Sequence, residues 1–202
     1  MLAGKLIELK DKTFSLIKAL GDEPSEETLK DASDFLINEL FVKSLTGDES
    51  ASELIEKLDR PLRICGMVKN EGEPGGGPFL VKDEEGEISL QIIEGAQIDE
   101  DNPAQVKIVK ESTHFNPVDI VCSVRKPDGT TYDLEKYVDP NMSFIANKTK
   151  DGKPLKALER PGLWNGAMAK WNTVFVEVPV STFNPVKTVA DLLKESHQPL
   201  DD

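Results

Sequence analysis

Apolar residues open the chain at helical spacing. Leu2, Leu6, Leu9, Leu16 and Leu20 fall at three- and four-residue steps or their sums, and Phe14 and Ile17 widen the stripe. Gly21-Asp22-Glu23-Pro24 stops that helix. Ser25 then offers an N-cap, with Glu26 and Glu27 in the first turn where the helix dipole favours anions. Leu29, Ala32, Leu36 and Leu40 carry a second apolar face to about Phe41. Ser50-Ala51-Ser52-Glu53 is a capping box leading into Leu54, Ile55 and Leu58.

After Arg60-Pro61 the period changes. Leu62 to Val68 reads as a buried strand, and Phe79 to Lys82 starts another. Asp83 to Gly86 turns the chain into Ile88–Ile92, which alternates apolar and polar residues as a half-buried strand does. Asp99 to Pro103 reads as an acidic loop. Val118 to Val124 is strand-like and ends at the turn Lys126-Pro127-Asp128-Gly129. Residues 130 to 160 are polar and turn-rich, with a short strand at Phe144-Ile145. Leu163 to Trp171 is predicted as a short helix, and Val174 to Val178 as a strand. Asn184 as N-cap and Pro185 at the first helical position predict a last helix with Val186, Val189, Ala190 and Leu193 on one face. The expected fold is α/β: a mixed β-sheet with flanking helices in residues 61–196, preceded by a helical segment over 1–60 and followed by a loose tail at 197–202.

Composition narrows the partners. The 202 residues are 38% hydrophobic and 30% charged, enough apolar material for a core. With 24 Lys and Arg against 37 Asp and Glu, the net charge is −13, which repels phosphate backbones and anionic lipid. Nucleic acid and membrane are therefore not expected partners. A phosphorylated ligand needs local positive charge or helix N-termini working against that field. Apolar runs are strand-sized and fall short of a membrane span. The charged N-terminus does not read as a signal peptide, so the cytoplasm is the expected location. Cys65 and Cys122 read as reduced core thiols rather than a disulfide framework.

Gly72-Glu73-Pro74-Gly75-Gly76-Gly77-Pro78-Phe79 is the first candidate for ligand contact, because consecutive glycines let a backbone approach a ligand with its amides. The run lacks the Gly-Lys-Ser/Thr ending of a phosphate-binding loop and the spacing of a dinucleotide fingerprint, so a plain connector between strands stays open. Lys187, three residues after Asn184, would sit where unpaired amides at a helix start favour an anion; an exposed helix lysine is the alternative. Glu94 follows a strand, at the kind of carboxyl end where ligands of open α/β sheets collect. His114 with Asp119 is a candidate divalent-metal pair, and a hydrogen-bonded structural histidine the competing reading. Trp164 and Trp171, seven apart, serve either a core or a ring-shaped ligand. No serine or cysteine shows a base partner, so nucleophilic catalysis has no support.

Arg63 to Phe79, Ser112 to Asp119 and Leu163 to Asn172 together resemble a bacterial family known as domain of unknown function 4301, across nearly the whole chain. Longer members carry an extra nucleotidyltransferase-like N-terminal region, so the chain resembles the C-terminal part of such a protein. Residues 66–68 through 92–98, the Phe115-Asn116 region and Phe183-Asn184-Pro185-Val186-Lys187 are also similar to UDP-sugar pyrophosphorylases. That likeness implies part of a Rossmann-type nucleotidyltransferase sheet. It also implies that Glu94 and Asn116 face a sugar and Lys187 a phosphate, in a sugar phosphate or nucleotide sugar, with Mg2+ assisting. The glycine-rich nucleotide signature and activating basic residues of that superfamily are absent from these 202 residues, so transfer would need a missing N-terminal half. A half sheet exposes an edge, which points to a homo-oligomer. The alternative is a non-catalytic ligand- or protein-binding α/β module.

Overall fold

A computed structural model describes residues 1–22, 24–70, 76–83, 86–116, 119–163, 165–186 and 188–198. Helices α1 (Leu2–Asp22), α2 (Glu26–Asn38) and α3 (Ala51–Leu58) lead the chain, where the apolar spacing predicts them. Leu9, Thr13, Leu16 and Leu20 form the buried stripe of α1, and the Thr13 hydroxyl is satisfied by the Leu9 carbonyl at 2.8 Å. Ser25 caps α2 by accepting from the Thr28 amide. Ser50 and Glu53 close the reciprocal box at α3.

The main sheet is built on β1 (Leu62–Lys69). It pairs antiparallel with β4 (His114–Phe115) and β5 (Ile120–Ser123), and parallel with β8 (Asn172–Glu177). A strand flanked this way is buried on both faces, which explains its unbroken apolar run. Leu62 and Ile64 meet the helices in one core with Leu9, Leu36, Leu54 and Leu58. Cys65 and Met67 point the other way and pack with Ile92 of the hairpin β2 (Gly77–Lys82) and β3 (Ile88–Ile93). The helical segment and the sheet thus share a core. A second hairpin joins β6 (Phe144–Lys150) to β7 (Lys153–Glu159).

β4 and β5 pair with β1 in registers offset by two residues. From Val68 to Cys65 β1 takes three steps, whereas from Phe115 to Ile120 its partner takes five. The residue after Phe115, Asn116, donates its amide to Gly76 of the neighbouring hairpin.

Three expectations are corrected. Leu163 and residues 165–171 are turn rather than helix, Trp164 lying outside the described residues: Asn165 Nδ2 donates to the Met142 and Arg160 carbonyls, both at 3.2 Å, and Gly166 lies at φ 83°. The segment after Asn184 forms only short 3₁₀ turns, at Val189–Leu193 and Glu195–His197. Its apolar residues find nothing to pack on, with Val189 83% and Leu193 80% exposed, and a short helix without tertiary packing is marginal in water. Asn184 instead binds Ser196 through both side-chain atoms. Finally, Cys65 is buried as expected but Cys122 is exposed. One helix goes unforeseen: α4 (Pro103–Lys110) starts where an acidic loop is read, capped by Asn102 with Pro103 in its first turn. Among the described residues, no helix is long and apolar enough to cross a membrane.

Candidate functional site

The register offset and the glycines meet at one place. The Asn116 amide donates to the Gly76 carbonyl at 3.0 Å, tying the residue just past β4 to the start of β2. Gly77 pairs with Ile93, which sets Gly76 beside Glu94. The approach is close enough to demand glycine at both positions. A Cβ on Gly76 would stand 3.0 Å from the Ile93 carbonyl oxygen, and one on Gly77 3.0 Å from that of His114. The structure thus places Gly76, Gly77, Glu94 and Asn116 close together at one strand end. Gly75 and Lys187, the other two expected members, lie outside the described residues.

Asn116 is the chemically exceptional member. It is 7% exposed, and its side-chain oxygen has no hydrogen-bond partner among the described residues. A buried acceptor left unmatched costs on the order of 1–3 kcal/mol, and native structures carry few of them. Asn70, Gly76, Gly77, Ile93 and His114 line a small cavity of about 60 Å³, whose wall includes neither Asn116 nor Glu94. That space holds roughly two waters or a ligand hydroxyl, not a sugar ring.

His114 and Asp119 are separated. His114 pairs with Lys69; its Nδ1 lies 2.8 Å from the Thr113 hydroxyl and its Nε2 3.0 Å from a Glu177 carboxylate oxygen. Lys69 stands 3.9 Å from the other Glu177 oxygen. The histidine bond first, and the lysine charge second, hold the Glu177 carboxyl below its ordinary range. Asp119 sits across from Gly66, on the face with Leu2 and Val178. The side chains expected to share a cation project to opposite faces of the sheet, and both His114 nitrogens are engaged. Among the described residues no three His, Cys, Asp or Glu side chains gather where they could hold a metal ion.

Two further buried groups stand out, Arg63 without forewarning and Trp171 singled out in the sequence only by its spacing from Trp164. Arg63 is 2% exposed, with Nε donating to the Thr173 hydroxyl at 2.8 Å and Nη2 to Gln91 Oε1 at 3.4 Å. Burial lowers its pKa, and no described carboxylate pairs with it. Only an unusual Arg at an inward-facing position of a buried strand could have flagged it. Trp171 is 8% exposed, and its indole N–H is buried without a partner.

Comparison with known proteins adds a family. The model described as Domain of unknown function (DUF4301) matches residues 1–198. No curated protein matches the chain. Among solved structures, a glycine-to-tyrosine variant of UDP-glucose pyrophosphorylase from Leishmania major, in complex with UDP-glucose, is similar at 20% identity and a TM-score of 0.40. A serine-to-tryptophan variant of the same enzyme gives 18% and 0.38. Each alignment covers 71% of this chain and 32% of the enzyme, so the chain spans about a third of the length of these structures.

Proposed function

Taking as premise that the chain belongs to the DUF4301 family, we propose that Gly76, Gly77, Glu94 and Asn116 form the sugar-facing wall of a site for a sugar phosphate or nucleotide sugar. The observation that supports this reading is the buried, unpartnered side-chain oxygen of Asn116. A sugar hydroxyl donates the hydrogen bond that this oxygen lacks. Glu94, half-buried at the end of β3, offers a second acceptor for a neighbouring hydroxyl.

The role is binding and orientation. No described residue of this wall is arranged as a nucleophile with its base, so nucleotidyl transfer requires groups supplied from outside it. Lys187 is the residue of this chain assigned to the phosphate, on the strength of its place in the Phe183–Lys187 segment.

Calorimetric titration with glucose 1-phosphate and UDP-glucose tests the proposal, on this chain and on a longer member of the family. Binding that is saturable and weakened in Asn116→Ala supports it. No heat from either protein, or equal affinity in the variant, rejects it.

A further inference from the structure

A second cavity, of about 260 Å³, lies at the opposite end of β1. The chain after α2, the end of α3, the hairpin tip of β2 and β3, and the turn before β8 enclose it. β1 runs from Leu62 to Lys69, so at about 3.3 Å per residue the two sites are roughly 20 Å apart. One ligand hydroxyl cannot serve both.

Trp171 forms part of the wall, and its indole N–H is the unpartnered donor noted above. The Trp171 carbonyl is already taken by the Thr173 hydroxyl at 3.3 Å, so the unmet demand is for an acceptor alone. Two cations stand on the same wall: Arg60, half-buried, and Lys170, exposed. Arg60 Nε donates to the Glu56 carbonyl at 3.2 Å, and neither Arg60 nor Lys170 forms an ion pair with a described carboxylate. The acidic side chains of the wall are largely committed. Glu87 pairs with Lys57 at 3.3 Å, and Asp83 accepts from the Glu87 amide at 2.7 Å. Glu56 is exposed to solvent. Arg60 and Lys170 also border an adjoining groove lined by Glu56, Asp59 and Tyr137 and by Lys136, which is itself paired with Asp133 at 3.6 Å.

We propose that this cavity binds a small ligand bearing a carboxylate or phosphate, with one anionic oxygen accepting the Trp171 N–H and the charge held by Arg60 and Lys170. An anion supplies what each of the three lacks: an acceptor for a buried donor and a counter-charge for two cations. Burial makes the indole bond count for more than it would in water. Trp171 lines the cavity while its indole nitrogen is buried, so in this proposal occupancy opens the wall locally and Trp171 registers it.

The chain has only two tryptophans, so the indole region of a ¹H–¹⁵N spectrum holds two side-chain signals, assigned with Trp164→Phe. Titrations with inorganic phosphate, with succinate and with NaCl at matched ionic strength separate the two anion sources from salt. The Trp171 signal is expected to shift saturably with phosphate or succinate and not with NaCl. Arg60→Gln and Lys170→Gln should each weaken that response about tenfold, the cost of one charge-assisted hydrogen bond. An unmoved Trp171 signal, the same shift with NaCl, or full response in both variants overturns the proposal.

Discussion

Asn116 donates its backbone amide to the carbonyl of Gly76 at 3.0 Å while its side-chain oxygen stays buried and unbonded. The backbone bond ties the residue just past β4 to the start of β2. Asn116→Ala removes the lone acceptor but leaves the backbone bond intact. Its expected effect on stability in urea is within about 1 kcal/mol, because no protein partner is lost. Loss of cooperative unfolding in the variant would contradict this.

The glycines beside it are predicted to be intolerant. Gly77→Ala drives a Cβ to 3.0 Å from the His114 carbonyl oxygen, and Gly76→Ala does the same against Ile93. Each should cost about 1–3 kcal/mol in chemical denaturation, the range of overpacking. Gly95→Ala, with nothing within 4 Å of the added carbon, is the matched control and should be close to neutral.

How much of this was legible follows from where each signal comes from. Helices α1 to α3 are written in apolar spacing and in the caps Ser25 and Ser50, both of which act as local chemistry says. β1 is legible because it is buried on both faces. α4 is not, because none of its residues is buried and no apolar stripe exists to read; only Asn102-Pro103 marks it. The Asn184-Pro185 signal misleads for the opposite reason: the local chemistry is right, but Val189 and Leu193 have no surface to bury against. Gly76, Gly77, Glu94 and Asn116 could each be named from sequence, yet the register offset that gathers them is a property of pairing between distant strands. Arg63 and Trp171 become meaningful only when burial reveals which of their groups lack partners.

Gln91 is expected to matter for stability out of proportion to its exposure. It accepts from the buried Arg63 guanidinium and donates to the Ala169 carbonyl at 2.7 Å and to Ser89 at 2.9 Å. Gln91→Leu leaves a buried cation with one fewer acceptor, at a cost of about 1.5–3 kcal/mol. Urea unfolding of the variant checks it, and a change below about 0.5 kcal/mol, typical of surface substitutions, would contradict the role.

The thiols should separate cleanly. Burial pushes Cys65 up to about 11 and shields it, whereas Cys122 is exposed. A disulfide reagent at mildly alkaline pH should label Cys122 in the native protein and Cys65 only after denaturant is added. Equal rates for the two would contradict the burial of Cys65.

Acid sensitivity should trace to Glu177. Its folded-state pKa is depressed by His114 and then Lys69, so its contribution is present above the ordinary carboxylate value and lost as pH falls through the lowered one. Melting temperatures taken downward from neutral pH should fall more steeply for the native chain than for Glu177→Gln. Parallel curves would remove Glu177 from the account.

The most direct test of the central claim is glucose 1-phosphate titrated into ¹⁵N-labelled chain with the Asn116 side-chain amide observed. The account predicts a saturable shift of that amide and of the Gly76 and Gly77 backbone signals, lost in Asn116→Ala. Saturable binding that leaves these signals unmoved, or no binding by this chain or by a longer family member, would contradict it.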